Sequence, residues 1–475
     1  MAGEKKINPQ IFRGYDIRGL VGSELNELTM ELIAKGYATF LYRRQIRDVV
    51  VGMDMRESSA GFKDIFIKVL LESGINVVDI GLTLTQIMYF AQYNYLTKGG
   101  AIITASHNPK EFNGLKLAVG FSDTLVTKEI DEVKEIVLSE KFSSYGTKGE
   151  LKVDDVFPAY KKDLFRRIPL FDSGLKVVID SSNATTGIFL PDILREAGCT
   201  VIEQNTNIDP SFPSGTPDPT ERVLLERLAK RVEKEVADLG LAYDSDGDRV
   251  GFVDEKGNLT WNDVLVALFA EDVLHFLPGS PIVFNTLCSK ATSDVITRSG
   301  GKPVIWSTGH SFIKAKVKEE RAPFGGELSG HFFFMDNFYG HDDGAFSTLR
   351  LLQYLKRTKQ SLFEAVERIP KYVSSPEIKL GVADEIRFEF VGVTLASEIK
   401  GLLPGANFID IDGIRADTKE EMVIIRASQN GPYVTIKFEG KTQDQYDALK
   451  IKIRELLKKH KEVDWTQGVN TDAFD

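Results

Sequence analysis

The sequence predicts an α/β protein built as three similar α/β domains followed by a C-terminal α+β domain. Two observations carry this: strand-like and helix-like segments alternate, and the alternation runs through three such units before the pattern changes. Length agrees, since 475 residues at ~100–200 per domain give three or four domains. In the first unit "DVVVGMD" reads as a strand, "AGFKDIFIKVLLESG" as an amphipathic helix closed by Gly74, and "NVVDIG" as the next strand. "TQIMYFAQYNYL" is then helical and "GGAIIT" extended. The rhythm returns at "LKVVIDSS", "IFLPDILREAG" and "CTVIEQN", and again at "SPIVFNTLC", "KATSDVITRSG" and "KPVIWSTG". After "RIPKYVSSPEIKL" come helices and alternating strands such as "YVTIKFEG". With turn signals at "KVDDVFP" and "VDEKGN", the expected domains are 1–154, 155–255, 256–370 and 371–475.

A net charge of −10 argues against a nucleic-acid partner and makes any local Arg/Lys cluster a candidate anion site. Two cysteines, Cys199 and Cys288, supply no disulfide framework and fit a reducing compartment. The N-terminus "MAGEKKINPQ" lacks the apolar core of a signal peptide, and no apolar run approaches the ~20 residues of a membrane span. The expectation is a cytoplasmic protein without a membrane partner.

Ligands of open α/β sheets bind beyond the carboxyl ends of the strands, so the loops there hold the candidate chemistry. "LAYDSDGDRVGFVD" follows the strand-like "LGLAY" with Asp244, Asp246 and Asp248. Three carboxylates so close together repel, and a hard divalent cation relieves them; few side-chain oxygens suit Mg²⁺. The competing reading is an acidic surface turn. "TASHNP" ends a buried strand on Ser106, with His107 beside it and Lys116 nearby. A nucleophile elbow of the G-x-S-x-G type is missing, so Ser106 is a candidate phosphoryl carrier or a helix cap. In "GGELSGHFFF", Glu327 and Ser329 lie two apart, on one face if extended, and suit adjacent sugar hydroxyls or a bulged turn. "RASQNGPY" offers Arg426, Ser428 and Asn430 as a phosphate cradle or a plain Asn-Gly turn. "RGYDIRG" adds Arg13 and Arg18 to an otherwise acidic chain.

Taken together, "FRGYDIRG", "TASHNPKEFNGLK", "DSDGDR", "TGHSFIK", "GGELSGHFFF" and "RASQNGP" resemble, in order and across nearly the whole chain, the α-D-phosphohexomutase superfamily. The resemblance is to its phosphomannomutase/phosphoglucomutase branch. It implies four domains around a central cleft, each giving one loop, with the fourth hinging to exclude water. It implies an isomerase that converts hexose 1-phosphate to hexose 6-phosphate through a phosphoserine and a hexose 1,6-bisphosphate. Ser106 would be that phosphoserine, with Asp244, Asp246 and Asp248 holding Mg²⁺ together with its oxygen. His107, Lys116 and Arg18 would surround the transferring group, Lys116 moving the proton, and Arg249 and Tyr15 would line the same region. Glu327 and Ser329 would take two sugar hydroxyls and His310 would position the substrate. Arg426, Ser428 and Asn430 would grip the non-reacting phosphate. The expected partner is therefore a small phosphosugar, bound by a monomer or dimer.

Several positions depart from that pattern. Ser245 stands for Gly in the metal loop, Leu287 for Lys, "SQNGP" alters the phosphate loop, and "TLTQ" at 83–86 lacks the usual prolines. They bear on sugar preference more than on reaction class. Phosphoglucosamine mutase is the near alternative, disfavoured by "YDIRG". A metal-dependent sugar phosphatase would use the aspartates but not Ser106.

Overall fold

A computed structural model of the chain describes residues 7–168, 172–429 and 431–475. The chain divides into two compact units: Met1–Trp261 with Ser329–Ala365, and Asn262–Leu328 with Val366–Asp475.

The first unit holds two sheets. One runs in the order Ile17–Leu20, Phe112–Val119, Gly99–Ile103, Asp48–Met53, Asn76–Leu82, Leu151–Val153. Asp48–Met53 pairs in parallel with both neighbours and Phe112–Val119 closes the far side antiparallel. The central strands are near-continuous apolar runs because helices cover the sheet: Val49, Val50, Val51, Ala101, Ile102 and Ile103 are fully buried. Helix Glu27–Arg43 starts at Asn26 in a capping box with Thr29, and helix Ser59–Glu72 gives way to Gly74 at φ +81°. Tyr37 of the former helix, Phe66 of the latter and Val133 and Val137 of helix Thr127–Ser139 belong to one core.

The second sheet has the order Leu259–Thr260, Val250–Asp254, Leu239–Tyr243, Lys176–Asp180, Thr200–Gln204. Its last three strands are parallel, while Leu239–Tyr243 and Val250–Asp254 form an antiparallel pair. Ser329–Ala365 belongs with this unit through Val250 N–H on the Gly330 carbonyl (3.2 Å) and Gly344 N–H on Gly247 (3.1 Å). The segment read as 256–370 is thereby shared between the two units.

In the second unit Lys302–Trp306, Pro281–Asn285 and Phe324–Gly326 are parallel. The C-terminal sheet is antiparallel throughout its described pairs, in the order Asn407–Ile409, Ile414–Asp417, Glu421–Ala427, Tyr433–Gly440, Ile378–Gly381, Asp464–Val469. Helix Gln443–Lys458, capped by Thr442 and Gln445, brings Leu449, Ile453 and Leu457 into its core. This is the mixed α+β character expected of the last hundred residues. Cys199 and Cys288 are both buried and free. Among the described residues no helix is long and apolar enough to cross a membrane.

Candidate active site

The strand Gly99–Ile103 delivers the chain into a turn where Ser106 sits at φ +48°, only 1 % exposed. That left-handed conformation is uncommon for a residue with a side chain and persists only where neighbours impose it. Here the Ser106 N–H donates to Thr104 Oγ1 (2.9 Å), and Asn108 N–H to the Ala105 carbonyl (3.0 Å). The result aims the Ser106 hydroxyl at Asp244 Oδ2 (2.7 Å), with His107 Nδ1 at 3.2 Å on the other side.

Asp244 to Arg249 form the connection between strands Leu239–Tyr243 and Val250–Asp254, where Gly247 adopts φ +77°. Asp244, Asp246 and Asp248 are all fully buried, each with a carboxylate oxygen within 4.8 Å of the others. Asp244 Oδ1 accepts the N–H groups of Gly247 (3.0 Å) and Arg249 (3.2 Å). Thr85, at the start of helix Thr85–Tyr95, donates its hydroxyl to Asp246 Oδ2 (2.7 Å) and its N–H to the Asp246 carbonyl (2.9 Å). Lys116 Nζ bridges Asp246 Oδ2 (2.8 Å) and Asp248 Oδ2. Burial, then Asp246 and Asp248, pushes Asp244 well above the usual carboxylate range. Burial works in the same direction on Asp246, but the Lys116 ammonium overrides it and holds that carboxyl below the range. Burial opposes the Lys116 charge, and the three aspartates restore it and raise its pKa.

Lys116 bridges two of the three carboxylates, while burial and the other two aspartates keep Asp244 above its usual range. Asp246 Oδ1 and Asp248 Oδ1 are buried without a hydrogen-bond partner. Oxygen-only donors, carboxylate charge and two free oxygens fit a hard divalent cation.

Two further cations reach the same place. Strand Ile17–Leu20 pairs Arg18 opposite Gly114, two residues from Lys116. Arg18 is held by Asp16 (2.8 Å) and donates to the Ala105 carbonyl and to Asn108 Oδ1 (2.7 Å). Arg249 Nε lies 3.9 Å from Asp244 Oδ2 and donates to His331 Nε2 (3.0 Å). Burial and the Arg249 charge draw His107 well below its ordinary range, leaving a neutral ring. Tyr15 is half-buried in the turn that precedes Arg18.

Ser106, His107, Lys116, Arg18, Arg249 and the three aspartates thus meet within the first unit, which also contains Tyr15 and Ser329. The second unit contains His310, Glu327, Arg426 and Ser428. Glu327 Oε1 accepts the N–H of Gly309 (2.8 Å), which precedes His310 at the start of helix His310–Glu319. The 327–330 stretch turns instead of running extended, with Gly330 at φ +93°. Arg426 Nε donates to Asp412 Oδ2 (2.8 Å), which also accepts Thr308 N–H (2.9 Å) and Thr286 Oγ1 (3.1 Å). Ser428 N–H donates to the Tyr433 carbonyl (3.0 Å). Asn430 lies outside the described residues. Leu287 packs with Met422 and Ile424 in a small apolar cluster, so it offers an anion nothing.

The sequence reading missed His331 and Asp342, whose Nδ1 and Oδ2 are 2.9 Å apart, with His331 Nδ1 3.8 Å from Asp248 Oδ1. His331 lies inside the quoted "GGELSGHFFF", where a His following Gly330 was the available signal. Asp54 and Arg56 left no local signal, and Thr85 stood out only as part of "TLTQ", noted for its missing prolines.

Comparison with known proteins identifies the family of the chain. Models of the α/β/α domains I, II and III of phosphoglucomutase/phosphomannomutase match residues 9–144, 159–257 and 261–372. A phosphomannomutase/phosphoglucomutase of Pseudomonas syringae is 36% identical over 449 residues, 94% of this chain and 95% of that protein. A phosphoglucomutase of Neisseria gonorrhoeae is 31% identical over 97% of this chain and 99% of its own. The crystal structure of a phosphoglucomutase/phosphomannomutase family protein from Burkholderia thailandensis superposes with a TM-score of 0.87 at 29% identity, covering 95% of this chain and 98% of that one. With three consecutive domain models matched and full-length relatives above 30% identity, the chain belongs to the phosphoglucomutase/phosphomannomutase family of the α-D-phosphohexomutases.

Proposed function

We propose that this phosphohexomutase interconverts the 1- and 6-phosphates of glucose and mannose by carrying the phosphoryl group on Ser106. The hydroxyl of Ser106, buried, strained and 2.7 Å from Asp244 at the acidic loop, is the observation that carries the reading. In the forward direction the bond between the Ser106 oxygen and phosphorus breaks as one forms to O6 of a hexose 1-phosphate. The sugar hydroxyl loses a proton and the serine oxygen gains one. The resulting hexose 1,6-bisphosphate turns around and returns its 1-phosphoryl group to Ser106, leaving the 6-phosphate.

Such a transfer needs positioning and charge neutralisation more than covalent help. Mg²⁺ held by Asp244, Asp246, Asp248 and the Ser106 oxygen would draw charge from the phosphoryl oxygens. Arg18, Arg249 and Lys116 add positive charge around Ser106, and neutral His107 faces its oxygen. Lys116, read from the sequence as the residue that moves the proton, is held charged between two carboxylates; in that state it neutralises phosphoryl charge and does not suit taking a proton from the sugar. Glu327 and Ser329 would bind two sugar hydroxyls, His310 and Tyr15 would orient the ring, and Arg426, Ser428 and Asn430 would hold the distal phosphate. In this reading segments 1–154, 155–255, 256–370 and 371–475 bring the phosphoserine, metal, sugar and phosphate loops respectively.

An assay with Mg²⁺ and a trace of glucose 1,6-bisphosphate tests it, following mannose 1-phosphate and glucose 1-phosphate separately. The parent protein converts both, and Ser106→Ala falls to background. Release of inorganic phosphate at the same rate in parent and variant would replace the mutase with a phosphatase.

A further inference from the structure

The strand Asp48–Met53 runs into Asp54-Met55-Arg56, a stretch with no part in the chemistry above. The Arg56 side chain is 2% exposed. All five of its N–H groups have an acceptor. Nε donates to Asp54 Oδ2 (3.2 Å), Nη1 to the carbonyls of Pro109 (2.8 Å) and Phe112 (2.9 Å), and Nη2 to those of Ser106 (2.8 Å) and Asn108 (2.6 Å). Four of the five acceptors are therefore main-chain oxygens, three in the loop that starts at Ser106 and one at Phe112, where the next strand begins. Asp54 fixes the same loop from its other side, because its Oδ2 accepts Thr104 Oγ1 (2.8 Å), and Thr104 Oγ1 accepts the Ser106 N–H (2.9 Å). Ser106 is thus pinned at its nitrogen through Thr104 and at its carbonyl by Arg56. Phe212 lies beside the guanidinium, its ring centroid 5.2 Å from Cζ.

We infer that Arg56 is a positioning residue for phosphoryl transfer, holding Ser106 in the left-handed conformation that aims its oxygen at the acidic loop. The inference rests on Ser106 being the phosphoryl carrier. A guanidinium suits the task because it presents five donors in one rigid plane and stays charged when buried, whereas an ammonium has three donors and no plane. Geometry, not charge, is what Arg56 contributes. It acts through the main chain of Ser106.

The test compares the parent protein with Arg56→Lys, Arg56→Ala and Ser106→Ala, assayed with glucose 1-phosphate, Mg²⁺ and a trace of glucose 1,6-bisphosphate. Arg56→Lys keeps the charge yet loses roughly 100-fold in kcat, the scale of a ~1 Å misplacement, with KM within about threefold of the parent. Guanidinium ion added to Arg56→Ala restores part of the lost kcat, and has no such effect on Ser106→Ala. A folded Arg56→Lys protein with parental kcat would overturn the inference. So would a kcat loss matched by a rise in KM, which would make Arg56 a substrate ligand. Failure of both Arg56 variants to fold also overturns it, since Arg56 would then maintain the fold and not the pose of one residue. A fully active Ser106→Ala protein would remove the carrier reading itself, whatever the Arg56 variants do.

Discussion

At Asp246 two hydrogen bonds compete for one carboxylate: Thr85 Oγ1 and Lys116 Nζ both reach Oδ2. That leaves Oδ1 open, the oxygen through which Asp246 would bind a cation. If the acidic loop holds Mg²⁺ as proposed, Thr85 would set the direction of one of its ligands without touching the metal. Replacing it by Val keeps the shape and removes the donor. The expected outcome for Thr85→Val is a weakening of Mg²⁺ affinity by roughly 10–100-fold, the usual scale for an outer partner of a ligand. Titration of activity against Mg²⁺ checks this, and saturating Mg²⁺ should recover most of kcat. Ser106 and the three aspartates could be picked out as candidates beforehand because each lies in a contiguous motif. The bonds of Thr85 and Arg56 could not, since their partners lie 161 and 50 residues away, and "TLTQ" drew notice only for its missing prolines.

Among the elements, strands Asp48–Met53, Lys176–Asp180 and Pro281–Asn285, each parallel to both neighbours, end on or one residue before a buried polar residue that takes several hydrogen bonds. Asp54 accepts Ser59 and Thr104; Asp180 accepts Gln204 Nε2 and Arg227 Nε (both 2.8 Å); Asn285 Oδ1 accepts Cys288 Sγ (3.0 Å) and Leu328 N–H (3.3 Å). The repetition of pattern seen in sequence thus has a shared physical device behind it, although the residue types differ. A different element gives a pH effect. Asp343 caps helix Gly344–Thr358, taking the Phe346 N–H (2.8 Å) and the Tyr160 hydroxyl (2.8 Å). Burial outweighs both bonds and pushes its carboxyl up to about 7. A raised carboxyl pKa means that the folded state holds the proton more tightly than the unfolded chain. Its stabilising contribution is complete below the ordinary pKa of about 4 and is lost as pH climbs to about 7. Asn caps as well as Asp and stays neutral. Thermal melts of Asp343→Asn should therefore gain on the parent progressively between about pH 4 and 7, with a constant advantage above. A difference independent of pH would show that Asp343 does not titrate in that window.

Across the whole molecule, the fourth segment is joined to Asn262–Leu328 in one compact unit by buried charge as well as apolar packing. Lys437 reaches Asp263 Oδ2 (2.9 Å), the Leu287 carbonyl (3.1 Å) and Glu439 Oε1 (3.3 Å). Glu439 Oε2 in turn accepts Ser289 Oγ (2.9 Å) and Lys290 N–H (3.0 Å), while fully buried Arg415 donates to the carbonyls of Thr286 and Cys288 (2.7 Å each). Buried ion pairs cost desolvation when formed, and removing one partner strands the other. Lys437→Met leaves Asp263 and Glu439 uncompensated and should lower stability by ~3–5 kcal/mol in urea titration. A loss below ~1 kcal/mol would mean that these groups are solvated or protonated in the fold.

The sequence by itself determined the alternation of strands and helices, the family, and where in the chain the Ser106 and acidic loops fall. The elements and loops rest on residues adjacent in the chain, where periodicity carries the information, and the family on the resemblance of six short stretches in order along it. Only the tertiary structure decided how those loops are used. It bent Ser106 into a left-handed turn, set Lys116 between two carboxylates, brought His331 onto Arg249, and sent Ser329–Ala365 to the first unit and Glu327 to the second. The physical reason is that directions of side chains in a buried polar site are fixed by hydrogen bonds from distant strands. Such bonds exist only after the sheets have formed.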